Sequence, residues 1–552
     1  MTSENIKIFW DSFHNIPLIL DEIKDDLYIK QNNLKEISRD FRPVFLEEKW
    51  LLLNLFPDKF DESLLSKSVW ATKHNKYIID GNLSSINPTK RGREIENIEA
   101  FRNKIFSFTP TKELLFLEKS LIDKFISCNR DRYDYLLKCE GKDEDGEFIG
   151  AYNFINEVAH KYKDRLTLVS FSGGKDSTVV SHLVRKALNN PSILHIYGDT
   201  TLELPKSYEY VEMFKEENPF TPFFEERNEE NNFFQMCDEI GPPSRVKSWC
   251  CSIFKTGPMG TTLANFDENI LTFLGVRRLE SASRSKYSKV GQSPKILKQK
   301  VACPVIDWLD IDIWLYIFTE NLSFNQSYRQ GFARVGCWVC PHNGNWSQFL
   351  SSIYNSKEYD KWYSFLIDFA KRIGKEDYED YVKDGKWKAR QGGSGLEKSY
   401  TNILEGKECI NEKNSKNYIL NKNINNDFFQ LFKPFGSLNI LEKKGLYEIF
   451  ILDKTKNPIF KVLTRENSNE VKVTIIDSKD KYIFNKIEKQ FNKFNSCLYC
   501  QGCNSACPTG AINVSNKTYI IDETKCVNCL KCIDKFDSGC LIASALKIKK
   551  ES

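Results

Sequence analysis

Along residues 166–188 the chain changes its apolar period. Leu-Thr-Leu-Val-Ser-Phe at 166–171 is a run of strand formers, whereas Val179, Val180, Leu183, Val184, Ala187 and Leu188 recur at helical spacing and stop at Asn189-Asn190-Pro191. Further strands are predicted at 192–198, 269–276 and 301–306, with a helix over 206–217. Strands alternating with helices predict a doubly wound α/β domain whose parallel sheet offers a ligand site at the carboxyl ends of its strands. Asp199, just past the second strand, is then expected to face that site.

The flanks follow other patterns. Residues 41–81 and 97–132 read as a small α+β unit and a helical connector, and the charged, turn-rich stretch 142–147 reads as a boundary. Past Gln391, Gly392-Gly393-Ser394-Gly395 reads as a flexible joint. Alternating strands at 446–452 and 471–476 predict a small α+β spacer. The expected organisation is an N-terminal α+β region of unknown role over 1–150, an α/β domain over 151–400, a linker and spacer over 401–490, and a cysteine-rich module over 491–550.

At 552 residues the chain exceeds one core, and 41% hydrophobic residues suffice for several. Its net charge of +4, from 79 basic and 75 acidic residues, is too balanced to imply a nucleic-acid or membrane partner from the global field, but it does not exclude local basic patches, so nucleic acid stays a candidate partner. Apolar runs such as 50–56 and 270–276 fall short of the ~20 residues of a membrane helix, and residues 1–11 lack the pattern of a leader. A cytoplasmic protein is expected. Seventeen cysteines in such a chain point to metal ligands or redox groups rather than disulfides.

The strand at 166–171 leads into Ser172-Gly173-Gly174-Lys175-Asp176-Ser177 and then a helix, an order that presents free backbone N–H groups and the Lys175 ammonium to an anion. A glycine turn alone accounts for the two glycines but not for Ser172, Asp176 and Ser177. The spacing is not that of a Walker A loop; it resembles the Ser-Gly-Gly-x-Asp-Ser loop (PP-loop) of the N-type ATP pyrophosphatases, with their adenine nucleotide alpha hydrolase-like fold.

Near the C-terminus, Cys497-x-x-Cys500-x-x-Cys503-x-x-x-Cys507-Pro508 is followed by Cys526-x-x-Cys529-x-x-Cys532 and Cys540. This resembles the dicluster ferredoxin run, in which the fourth cysteine of each run ligates the other cluster. The resemblance implies one [4Fe-4S] cluster on Cys497, Cys500, Cys503 and Cys540, and a second on Cys526, Cys529, Cys532 and Cys507. The second run departs from the pattern, with a longer spacer to Cys540 and no proline after it. Paired zinc ribbons are the rival reading, though zinc takes its four ligands site by site.

From about 151 to 391 the chain resembles the phosphoadenosine phosphosulfate (PAPS) reductase family, including its phosphorothioation and methanogen-type relatives. The matching pieces are Ser172 to Ser177, Asp199-Thr200 with Glu203, Trp249-Cys250-Cys251 with Lys255 and Pro258, Gly275-x-Arg277-x-x-Glu280-Ser281-x-x-Arg284, Pro304-x-x-Asp307-Trp308, and Gly336-Cys337-Trp338-Val339-Cys340. The resemblance implies that Asp199, Arg277, Glu280 and Arg284 join the loop in binding an adenine nucleotide (ATP, adenylyl sulfate (APS) or PAPS), and that Cys250, Cys251, Cys337 and Cys340 hold a third [4Fe-4S] cluster, a structural zinc site being the rival reading for these four. Arg277 and Arg284, seven apart, would share a face if helical, and guanidinium forks suit phosphate or sulfate oxygens. Two salt-bridged surface arginines are the plainer reading.

Two departures divide the function. The stretch 385–396 lacks the cysteine that such reductases carry in a C-terminal tail, with Glu408-Cys409 a faint remnant, while the loop is of the intact, ATP-cleaving kind. The leading expectation is an iron–sulfur oxidoreductase of sulfur metabolism, with a redox partner donating electrons. The alternatives are an ATP-dependent adenylating sulfur transferase acting on an acceptor such as nucleic acid, and a non-enzymatic electron carrier. Cys128, Cys139, Cys237, Cys303 and Cys409 read as small hydrophobes. The segment 7–17 looks like a metal knuckle that has lost its cysteines and is expected to be structural; His14 shows no ligand spacing. His342, two residues past Cys340, reads either as a tuning group or as a surface histidine.

Overall fold

A computed structural model describes residues 5–547 except 39, 73, 402, 403 and 405. Residues 1–4, part of the leader reading, and 548–550, the end of the expected C-terminal module, lie outside the described residues.

A six-stranded sheet organises the centre, in the order Phe223–Glu226, Leu194–Gly198, Leu166–Phe171, Ile270–Leu274, Gln299–Ala302 and Val290–Gln292. The first five run parallel and the last is an antiparallel edge. Leu166–Phe171 is interior because both its faces are apolar, as a parallel strand covered on both sides requires. Val169 and Phe273 pack under the helices Lys175–Ala187 and Asp310–Thr319, and Leu168, Ile196 and Ile270 pack under Gly257–Ala264 on the other face. The chain leaves Leu166–Phe171 for a neighbour on one side and later returns on its other side, so the strand order switches at the carboxyl end that carries Ser172 to Ser177.

The expected α/β order is present, with two differences. The strand foreseen at 301–306 is Gln299–Ala302, because Cys303 to Trp308 curl into turns. Arg277 and Arg284 share no helix: two short 3-10 turns, Arg278–Glu280 and Arg284–Lys286, replace one. Ser281, in extended backbone between them, accepts the Arg284 N–H on both its carbonyl and its hydroxyl, the local competition by which serine interrupts helices.

The N-terminal region folds a hairpin, Ile6–Asp11 and Ile16–Asp21, with Lys35–Ser38 at its side, and a small four-stranded sheet. Ile8, Trp10, Ile16 and Leu18 share a core with Val179, Leu183 and Trp314 of the central domain. Arg132 seals the join, donating to buried Asp312 at 2.9 and 2.7 Å.

Downstream, six antiparallel strands between Lys407–Glu408 and Glu470–Ile475 form a second sheet. Ile449, Ile451, Phe460, Val462, Val471 and Val473 alternate onto one face, where Ile487 and Phe491 of the helix Ile483–Ser496 cover them. That core also takes in Cys503, Cys507 and Cys532, so the spacer and the cysteine runs share one interior. Among the described residues, no helix is long and apolar enough to cross a membrane.

Replacing Asp312 by Ala strands the Arg132 guanidinium in this interior. The expected loss is about 3–5 kcal/mol, read by thermal or denaturant unfolding, and an Arg132→Met, Asp312→Leu pair should lose far less.

Candidate functional site

The loop after Leu166–Phe171 holds its shape through its own hydroxyls. Ser177 Oγ accepts the Ser172 N–H at 3.1 Å and donates to the Gly174 carbonyl at 2.8 Å. Gly173 lies at φ +67°, a region open to glycine, and a Cβ on Gly275 would sit 2.7 Å from the Asp176 and Ser177 backbone, so the neighbouring strand closes on the loop without a side chain. Asn325 donates to the Gly173 carbonyl at 3.2 Å, and Tyr328 Oη accepts the Lys175 N–H at 3.0 Å. Among the described residues the Gly173 and Gly174 N–H groups donate to no protein acceptor, which leaves a cradle for an anion.

Beneath the cradle lies a net of largely buried charge. Lys175 Nζ meets Asp176 at 3.1 Å and Asp310 at 2.9 Å, and Arg277 meets the same two carboxylates at 2.5 Å each. Burial works to raise the Asp176 carboxyl, but Arg277 and Lys175 overcome it and hold it well below the usual range. Asp40, from the N-terminal region, accepts the N–H groups of Asp310 at 2.8 Å and Ile311 at 3.2 Å, capping the helix Asp310–Thr319. Burial and the charge of Asp310 raise its pKa to about 7. Arg284 bonds to Glu280 rather than to the loop, and burial together with nearby Arg334 lowers it to about 10.

Asp199, at the end of Leu194–Gly198, is buried and turned into its own loop, accepting Thr201 N–H at 2.8 Å and Tyr208 O–H at 3.1 Å. The following residues reach the cysteines. Glu203 bridges to Cys337, Thr200 Oγ1 lies 3.3 Å from Cys337 Sγ, and that thiol faces Glu203 Oε1 at 3.6 Å. Cys250, Cys251, Cys337 and Cys340 come together: the Cys250 thiol is pushed far up by its hydrogen bond to Cys251, by burial, and by Cys337 and Cys340. Cys251 is held down to about 6 by the Cys250 thiol and then by Lys295 and Lys255. His342 Nε2 lies 3.1 Å from Ser248 Oγ.

The two C-terminal runs have one backbone. Tyr499 and Gln501 in the first, and Asn528 and Leu530 in the second, occupy the left-handed region at matching places after the first cysteine. Such φ values strain bulky side chains and turn successive N–H groups inward as an anion nest. Burial raises the thiols of Cys497, Cys500 and Cys526, the N–H groups of Tyr499, Gly502 and Asn528 offset part of that rise, and Ala511 N–H donates to Cys507 Sγ at 3.2 Å. Burial and Cys540 push Cys497 up to about 12, and Cys532 rises to about 12 through burial and Cys507. Thus Cys540 stands with the first run and Cys507 with the second. Cys507, Cys526, Cys529 and Cys532 line one small cavity with apolar walls.

Lys493 completes this picture. It is 1% exposed, its Nζ reaches Tyr519 Oη at 3.5 Å and the Cys532 carbonyl at 3.4 Å, and among the described residues no carboxylate lies within salt-bridge distance. A buried ammonium needs a counter-charge, and Cys503, Cys532 and Cys540 all feel its field. Thiolate quartets carrying net negative [4Fe-4S] groups fit that requirement.

The runs pack directly on the central domain. Asn504 donates to Thr261 Oγ1 at 2.6 Å, Leu297 N–H to the Ser505 carbonyl at 3.0 Å, and Cys250, Cys500 and Cys540 belong to one core. Sequence reasoning named the loop, the arginines and the cysteines. It missed Asp40, Asp310, Tyr328, Asn325 and Lys493; only Asp310, opening an apolar helix just past Asp307-Trp308, carried a local signal.

Residues 166–343 match the phosphoadenosine phosphosulfate reductase domain. The chain is 30% identical over 307 residues to the Methanocaldococcus jannaschii protein MJ0973, covering 55% of this chain and 68% of that one. It is 30% identical over 263 residues to MJ0066 of the same organism, spanning 47% of this chain and about half, 52%, of that relative. Adenosine 5'-phosphosulfate reductase of Bacillus mycoides is 28% identical over 203 residues, 36% of this chain and 82% of that enzyme. The chain belongs to the phosphoadenosine phosphosulfate reductase domain family.

Two outcomes follow from the buried charges. Because the folded-state pKa of Asp40 is raised, its contribution to stability is greatest when it is protonated and is lost as pH rises from about 4 to about 7; Asp40→Asn should flatten that part of the stability profile in thermal melts. In protein reconstituted with iron and sulfide, Lys493→Met should lower the midpoint potential of any [4Fe-4S] signal held by the two C-terminal runs in an EPR redox titration, and unchanged potentials would remove the ammonium from this role.

Proposed function

We propose that the protein is an iron–sulfur oxidoreductase of sulfur metabolism that binds an adenylyl sulfate at Ser172 to Ser177. The observation that carries this reading is the contact of the Asp199 to Glu203 loop with Cys337, which joins the nucleotide end of the sheet to a four-cysteine centre. Cys250 of that centre in turn shares a core with Cys500 and Cys540.

In this reading the Gly173 and Gly174 N–H groups and the Lys175 ammonium hold the nucleotide phosphate, and Arg277 keeps Asp176 ionised beside it. Lys255, Lys295 and Arg334, grouped near Cys251 and Cys340, supply positive charge for a sulfate group leaning toward the cysteines. When bound, [4Fe-4S] groups would supply single electrons, two of which are needed to convert an adenylyl sulfate to sulfite and AMP. The donor sets are Cys497, Cys500, Cys503 and Cys540; Cys507, Cys526, Cys529 and Cys532; and Cys250, Cys251, Cys337 and Cys340.

A second reading, ATP-dependent adenylation of a sulfur acceptor, is favoured by one observation. The stretch 385–396 brings no thiol to the site, and Cys409 follows an edge strand of the antiparallel sheet. The protein, reconstituted without oxygen, should release sulfite from an adenylyl sulfate given a low-potential donor; pyrophosphate released from ATP, with no sulfite, establishes the second reading instead. Lys175→Ala should cut either activity about 100-fold or more. Cys337→Ser should lose about four of about twelve irons.

A further inference from the structure

The segment 7–17, expected to be structural, meets an unforeseen neighbour. Asp11 ends the strand Ile6–Asp11, and its Oδ1 accepts the N–H groups of Phe13 at 2.9 Å and His14 at 3.3 Å. Its other oxygen lies 2.6 Å from His14 Nδ1. Asn15, at φ 61°, closes the turn by donating to the Asp11 carbonyl at 2.8 Å, and its amide holds Asp80 at 2.6 Å. The turn thereby sets a carboxylate and an imidazole against the last residue of the helix Lys112–Cys128.

A carboxylate oxygen of Asp11, a ring nitrogen of His14 and Sγ of Cys128 all lie within 4.8 Å of one another. The approach is built rather than incidental. Asn129, next to Cys128 and 3% exposed, accepts the Ile19 N–H at 2.7 Å and donates to the carbonyls of Pro17 at 3.1 Å and Phe125 at 2.9 Å. It pins the hairpin to the helix end, so the three donors sit on rigid elements drawn from distant parts of the chain.

An oxygen, a nitrogen and a sulfur converging in this way form a borderline-soft donor set. Thiolate and imidazole select against magnesium and calcium and suit zinc, whose ligands stand about 2.0–2.3 Å from the ion. Donors that close reach one ion by small side-chain rotations, and three protein ligands leave a fourth position for water.

We propose that Asp11, His14 and Cys128 form a mononuclear zinc site that clips the N-terminal hairpin to the helix Lys112–Cys128. The site is independent of the sulfur chemistry above, and its test does not read activity. The iron-loaded full chain, exposed to zinc and desalted, is assayed for both metals. About one zinc per chain is expected in the wild type, with Cys128→Ala and His14→Ala each losing the zinc while keeping the iron. Chelation should lower the unfolding temperature of the wild type and leave both variants unmoved. A wild type that retains no zinc overturns the proposal, as do variants that retain it, which would put the metal on other cysteines. Loss of zinc together with iron also counts against it, because that reports damage to the fold.

Discussion

Charge matched inside the protein governs this structure. Lys175, Arg277, Asp176, Asp310 and Asp40 meet within a few ångströms beneath the carboxyl end of Leu166–Phe171, and they come from four separate segments. Each would be costly to bury alone. Their mutual neutralisation ties the loop, the segment after Ile270–Leu274, the helix Asp310–Thr319 and the N-terminal region into one unit. The N-terminal region is therefore a wall of the loop-bearing end of the sheet, not an appendage.

The same logic runs through the cysteine runs with the signs changed. Lys493 sits in an apolar interior among sulfurs rather than carboxylates, and paired left-handed residues turn backbone amides inward. Between the two regions, Thr200, Glu203 and Cys337 form a short bridge. The glycine loop and three groups of thiols are thus parts of one continuous packing arrangement, with Cys250 and Cys500 in a common core.

Local features were legible where chemistry is local. The strand, loop and helix from Leu166 to Ala187 follow from a change in apolar period around two glycines, whereas grouping Cys540 with the first run and Cys507 with the second comes only from the resemblance to ferredoxin runs. Contacts made by long-range folding were hidden. Asp40 lies 270 residues from its partner Asp310, and nothing around it marks a cap. The seven-residue spacing of Arg277 and Arg284 implied a helical face, yet Ser281 between them sits in extended backbone and takes the Arg284 N–H on its carbonyl and hydroxyl. The spacer, read as separate, proved continuous with the cysteine runs because alternating residues of its sheet need the helix Ile483–Ser496 as a lid.

That helix runs without a break into Cys497, and Cys503, Cys507 and Cys532 are wall residues of the interior it covers. Any disorder at these cysteines therefore opens an oily core instead of emptying a detachable pouch. Oxidation of these thiols would also expose apolar sheet to proteases and to other unfolded chains, making damaged copies short-lived in a cell.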